Sequence, residues 1–157
     1  MRKNALICLE KLDIGGVETA VVNQAIALKE KGCNVFVIAQ KGGYSEVLEK
    51  KGITYIECKF ELENRFDNEK IRNIIKILRE NDIGQVHIHQ FPCVLQLWYA
   101  CALLKIPYVT YLHSGTKQIY EWYEKNYDLY DGLLKIFFEN AYKIVAVSNM
   151  AKESNKE

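Results

Sequence analysis

Few residues of this chain have chemistry to offer, and they are far apart in sequence. It has three histidines, His87, His89 and His113. An imidazole changes charge near neutral pH, so each is a candidate acid, base or neutral hydrogen-bonding group. A glycine pair, Gly15-Gly16, stands in "LDIGGVETAVVNQ" (12–24), just before a run with helical spacing. Successive backbone N–H groups at such a turn, with the positive end of the helix behind them, suit an anion and above all a phosphate. The alternative is that the pair only lets the chain turn tightly. Glu18 falls in the first turn of that helix, where the helix field favours a carboxylate; ligand contact is its other reading. His113, followed by Ser114, either closes a strand by bonding a carbonyl or turns its ring into a cleft. His89 has the same two readings. His87, two residues earlier on the same strand face, sits deeper and reads as structural. Ser148 is a helix cap or a ligand contact.

The elements that would position these residues follow from hydrophobic spacing. "NALICL" (4–9), "NVFVIA" (34–39), "ITYIEC" (53–58), "QVHIH" (85–89), "PYVTYLH" (107–113) and "KIVAVS" (143–148) read as strands. Residues 17–31 carry Val17, Val21, Ala25 and Leu28 on one helix face, with Gly32 as the stop. A short helix is expected over 45–52 with Ser45 as its N-cap, and an amphipathic one over 68–82. A largely apolar helix is expected over 93–104, a helical pair over 117–141 divided near Gly132, and a last helix from 149. Residues 59–67 read as a loop. Strands made of continuous Val, Ile and Ala alternate with helices, the pattern of a parallel sheet covered on both faces. One α/β doubly wound, Rossmann-like domain over 1–157 is expected.

In such sheets ligands bind beyond the carboxyl ends of the strands, where strand order reverses. That rule gathers Gly15, Gly16, Gln40, His89, Gln90, His113, Ser114, Ser148 and Asn149 at one edge. Other phosphate sites fail on spacing. A dinucleotide fold needs G-x-G-x-x-G and an acid after the second strand, where this chain has Gln40. No G-x-x-x-x-G-K-[ST] occurs, the position after the third strand is Cys58-Lys59 and not an aspartate, and no metal-ligand spacing appears.

With Lys+Arg 21 against Asp+Glu 20 the net charge is +1, so no bulk attraction to nucleic acid is expected. No apolar run is long enough to span a bilayer, and residues 1–9 lack the apolar core of a signal peptide. The five cysteines include no C-x-x-C and read as reduced and mostly buried. A cytoplasmic location is expected.

Taken together, "GGVETAVVNQAIALKEKGCNVFVIAQ", "VHIHQF", "PYVTYLHS" and "YKIVAVSNMAKE" resemble, in order and spacing, the landmarks of glycosyltransferase family 4 over about residues 4–153. The resemblance implies the N-terminal, acceptor-side half of a GT-B enzyme, in which two Rossmann-like domains face each other across a cleft. It places Gly15 and Gly16, with Ser148, near the donor diphosphate and His113 beside the transferred sugar as the catalytic candidate. Glu18, His89 and Ser114 become cleft or acceptor residues. It implies retaining hexosyl transfer from a nucleotide sugar to a saccharide or lipid-linked acceptor, in glycan or polysaccharide biosynthesis of a bacterial type. Neither a cofactor nor an essential metal is implied.

The family's Glu-x7-Glu donor motif and basic phosphate clamp belong to a C-terminal domain and are absent here, as is the "N-G-[VI]-D"-like segment that usually follows. A diphosphate leaving group needs its developing charge stabilised by preorganised donors, and the glycine turn supplies only some of them. The chain therefore reads as incomplete as a catalyst without a C-terminal partner domain. A stand-alone sugar- or nucleotide-binding module is the alternative, and a GT-B-like sugar epimerase would need the second domain too. The aromatic run Tyr120, Trp122, Tyr123, Tyr127, Tyr130, Phe137 and Phe138 is either the packing of a helical pair or a stacking platform for sugar rings. A peripheral membrane edge for a lipid-linked acceptor is a further reading of it.

Overall fold

Val, Ile, Leu and Ala runs form the strands, and the segments between successive strands form helices. The computed structural model describes residues 4–60, 66–91, 94–113, 116–130 and 132–154. The first half runs β1 (Asn4–Lys11), α1 (Gly16–Glu30), β2 (Asn34–Gln40), α2 (Ser45–Lys50), β3 (Thr54–Glu57) and α3 (Asn68–Glu80). The second half runs β4 (Ile83–Ile88), α4 (Leu95–Leu104), β5 (Tyr108–Leu112), α5 (Thr116–Asn126), α6 (Leu133–Glu139), β6 (Lys143–Ala146) and α7 (Asn149–Glu153), with a 3-10 turn at Asp128–Tyr130 before α6.

The six strands form one all-parallel sheet in the order β3-β2-β1-β4-β5-β6. This is the doubly wound arrangement expected from the sequence. Strand order reverses between β1 and β4, which pair with Ile7 beside His87 and Cys8 beside Ile88.

Side chains of successive strand residues point to opposite faces, and here each face has its own core. On one, Ile7, Leu9, Val35, Val37 and Ala39 pack under Val21, Val22 and Ala25 of α1 and Leu48 of α2. On the other, Leu6, Cys8, Ile38, Val86 and Ile88 pack against Ile74 and Leu78 of α3, Leu95, Leu97 and Trp98 of α4, and Phe137 of α6. Burying these side chains is worth roughly 1.5–3 kcal/mol each, which holds the strand ends in a fixed relation.

Local departures from the expected boundaries have physical causes. Ser45 is the first residue of α2 and not its cap; it is buried, and its hydroxyl accepts from the Gly42 N–H at 3.1 Å. The helical pair divides as expected near Gly132, which takes φ +70°, a left-handed conformation glycine adopts without a Cβ clash. Most of the aromatic run is packing: Tyr130 and Phe137 are fully buried, and Tyr120, Tyr123, Tyr127 and Phe138 pack against the same core. Trp122 alone of that run is among the exposed large apolar residues. Cys8 and Cys101 are buried free thiols, and Cys33 and Cys58 are free and half-buried; Cys93 lies outside the described residues. Among the described residues no helix is long and apolar enough to cross a membrane.

Candidate functional site

The turn after β1 is held from below. Gly15 is the N-cap of α1, and its carbonyl accepts from both the backbone N–H and the hydroxyl of Thr19, at 3.0 and 2.7 Å. Thr19 also bonds the Tyr44 hydroxyl at 2.8 Å. No side chain caps this helix, whereas Asp67 caps α3 and Ser148 caps α7. Helix N-termini leave orphan N–H donors, so α1 keeps a positive end with no side chain to satisfy it. The backbone of Gly15 is extended, so its dihedrals suit any residue. A Cβ there would lie 2.4 Å from the Glu18 carboxylate, the free end of a flexible side chain that can swing aside, so space does not demand glycine either. A Cβ on Gly16 would meet nothing within 4 Å.

Across the switch point stands Gln90, just beyond β4 in a left-handed conformation with φ +53°, uncommon for a residue with a side chain. The strained backbone aims its amide at two partners. The Gln90 carbonyl oxygen accepts from the Glu10 N–H at 2.9 Å, and its NH2 donates to Glu18 at 3.4 Å. Glu18 is thereby tied to both strands that flank the reversal. Its carboxylate also uses part of the helix field that a phosphate would use.

Beside this lies a polar column on the face of the sheet covered by α1. Register brings β4 and β5 together with Ile88 beside Thr110, so His89 neighbours Tyr111. Their rings stack with centroids 4.2 Å apart and planes 6° from parallel. His89 Nδ1 is 3.0 Å from His113 Nε2, and His89 Nε2 is 3.0 Å from the Gln24 side-chain oxygen. The Gln24 NH2 donates to the Tyr111 hydroxyl at 2.5 Å and lies 3.0 Å from His87 Nδ1. Tyr111 Oη is itself 2.8 Å from His87 Nδ1. Burial penalises the charged imidazole: it pushes His87 down to about 4 and His89 down to about 3, the latter with help from His113 and His87. His113 is also lowered by burial, against the opposing pull of Glu18. All three rings are neutral at physiological pH.

The structure places the expected site residues as follows. Gly15, Gly16, Glu18 and His113 share the carboxyl edge, with the Glu18 charge opposing the effect of burial on His113. His113 is half-buried rather than open to solvent. His89, expected among the cleft residues, is 2% exposed; it lies beneath His113 and reaches the edge only through that ring. His87 is buried as expected of a structural residue. Ser148 is at the same edge, one strand beyond His113 and three from the glycine turn, and its hydroxyl caps α7 through the Ala151 N–H at 3.0 Å. Ser114 lies outside the described residues. Sequence reasoning passed over Gln24 and Tyr111 as site residues and named Gln90 only as a strand end. Among the described residues no group of three His, Cys, Asp or Glu could hold a metal ion.

Comparison with known proteins identifies the fold and the family. No curated protein matches the chain. The chain resembles the crystal structure of Anabaena Alr3699/HepE in complex with UDP and glucose, with a TM-score of 0.72 at 13% identity, over 98% of this chain and 40% of that one. It also resembles Acinetobacter baumannii MurG (TM-score 0.63, 14% identity, 94% and 42% covered). A third likeness is to a glycosyltransferase from Rickettsia africae (TM-score 0.65, 20% identity, 97% and 38% covered). At these identities the likeness is one of fold, and the chain spans about two fifths of the length of each of these structures. The profile of Glycosyltransferase Family 4 matches residues 14–157. That is nearly the whole sequence, and the chain belongs to glycosyltransferase family 4.

Proposed function

We propose that the chain is the N-terminal, acceptor-side half of a retaining glycosyltransferase that moves a sugar from a nucleotide sugar to a saccharide or lipid-linked acceptor. One observation carries this reading. The uncapped N-terminus of α1 at Gly15-Gly16 and the neutral His113 ring stand at the same carboxyl edge of the sheet. The first offers backbone N–H donors to a diphosphate, whose charge grows as the bond to the sugar breaks. The second offers a neutral ring to a sugar hydroxyl and so orients the anomeric carbon. UDP and glucose bound to a protein of this fold support a nucleotide-sugar donor.

A C-terminal domain would supply the rest of the diphosphate clamp, and the reaction needs neither a cofactor nor a metal. Ser148 caps α7 with an oxygen lone pair, which leaves its O–H to join Gly15 and Gly16 on the donor side of this half. Glu18 and Ser114 complete the cleft, and His89 supports it from beneath. The protein works in the cytoplasm on glycan or polysaccharide synthesis, with the membrane touched at its periphery when the acceptor is lipid-linked. The test is a screen of labelled nucleotide sugars against the chain joined to a C-terminal donor-binding half, beside the 157-residue chain alone. Transfer by the joined protein, with none by the chain alone, is expected. Turnover by the chain alone, or nucleotide-sugar binding without transfer to any saccharide, contradicts the proposal and favours a stand-alone binding module.

A further inference from the structure

The polar column does more than fill space between α1 and the sheet. A neutral imidazole has one N–H and one lone pair, so each contact it makes decides the role of its other nitrogen. The side-chain oxygen of Gln24 can only accept, and it faces His89 Nε2 at 3.0 Å. The His89 proton is therefore on Nε2, and Nδ1 holds the lone pair. That nitrogen faces His113 Nε2 at 3.0 Å, so the proton of His113 is also on Nε2. In that tautomer the lone pair of His113 is on Nδ1.

The other end of Gln24 continues the chain of bonds on β4 and β5. Its NH2 donates to Tyr111 Oη, whose own O–H donates to His87 Nδ1. Burial raises the Tyr111 phenol and lowers the His87 imidazole, so neither changes charge near neutral pH. This places the His87 proton on Nε2, a buried atom with no hydrogen-bond partner. The opposite amide orientation would reverse every proton in the chain and turn His113 Nδ1 into a donor. Gln24 lies on α1 one turn and a half beyond Glu18, so the helix that carries the glycine turn also reads out on His113.

We propose that Gln24 is a positioning residue whose amide, acting through His89, holds His113 in the tautomer with the proton on Nε2 and the lone pair on Nδ1. The assignment of that lone pair to a sugar hydroxyl rests on the proposed function; the tautomer itself does not. Second-layer contacts of this kind hold a ring's tautomer and orientation where histidines ligate metals, and the same logic applies to a ring that meets a sugar.

The test is long-range proton–nitrogen NMR of the 157-residue chain at neutral pH, where the two ring nitrogens of each histidine report their protonation separately. His89 and His113 should both show a protonated Nε2. Gln24→Glu keeps an acceptor opposite His89 and should preserve that state. Gln24→Lys presents only donors and should move the His113 proton to Nδ1. Should the lysine variant not fold, Gln24→Met removes both polar ends and should replace the single tautomer by a mixture. A wild-type His113 protonated on Nδ1, or a tautomer unmoved in a folded Gln24→Lys or Gln24→Met, overturns the proposal. In the protein joined to its C-terminal half, Gln24→Lys should lower kcat by about as much as loss of the His113 contact, roughly 100- to 1,000-fold. A reversed tautomer with unchanged kcat would leave the relay standing and sink the role of His113 in transfer.

Discussion

Acid should destabilise this chain well before its carboxylates titrate. His87 and His89 are 8% and 2% exposed, and their folded pKa values are about 4 and about 3. An unfolded histidine titrates near 6.5. Between the folded and unfolded values the unfolded chain binds more protons than the folded one, so stability falls as pH falls. The contribution is fully present above about pH 6.5 and is lost on descent toward the folded values. From pH 7 to pH 5 each ring should lower the folding constant about 25-fold, and the two together about 600-fold. That is about 4 kcal/mol, a large part of the 5–15 kcal/mol typical of a domain. Denaturant unfolding at half-unit pH steps would measure it. His87→Leu removes one titrating ring, so the drop should shrink to about 25-fold, on top of a loss at neutral pH of about 1–3 kcal/mol from the partners left unpaired. A flat profile between pH 7 and 5, or an unchanged drop in His87→Leu, would refute the claim that these rings are held neutral by burial.

Gly42→Ala should destabilise by about 1–3 kcal/mol or more, because its Cβ would sit 2.3 Å from the Leu12 backbone and 2.6 Å from the Asp13 nitrogen; a neutral change in thermal unfolding contradicts the contact. Asp67→Ala should cost about 1–2 kcal/mol, since that carboxylate accepts from both Glu69 and Lys70 N–H groups at the start of α3. Ser148→Ala, which removes a single cap bond, should cost about 0.5–1 kcal/mol and also weaken nucleotide-sugar binding in the two-domain protein. A stability loss with unchanged binding would reduce Ser148 to a helix cap.

Much of the fold was legible because the strands are unbroken runs of Val, Ile and Ala and the helices end at glycines such as Gly32. The edge that holds Gly15, Gly16 and His113 followed from parallel topology alone. Which rings meet at that edge did not, because His89 and Tyr111 stack only once β4 is known to lie beside β5. Strand parity puts His87 and His89 on one face, but it cannot say that α1 covers them. Gln24 left a signal that went unused. It falls three residues after Val21 and beside Ala25, a polar residue on the apolar face of α1, where a buried amide must find partners. Ser45 misled because serine before a helical run reads as a cap, whereas its hydroxyl is spent on Gly42.

The central claim, that His113 at this edge meets the sugar, is tested most directly by the turnover of His113→Ala in the protein joined to its C-terminal half. The substitution leaves His89 Nδ1 without its partner, so a stability loss of about 1–3 kcal/mol is expected, and rates should be compared at a temperature where both proteins are fully folded. Under that condition kcat should fall roughly 100- to 1,000-fold. Turnover within a few-fold of the unaltered protein would contradict the account and reduce His113 to the end of a strand.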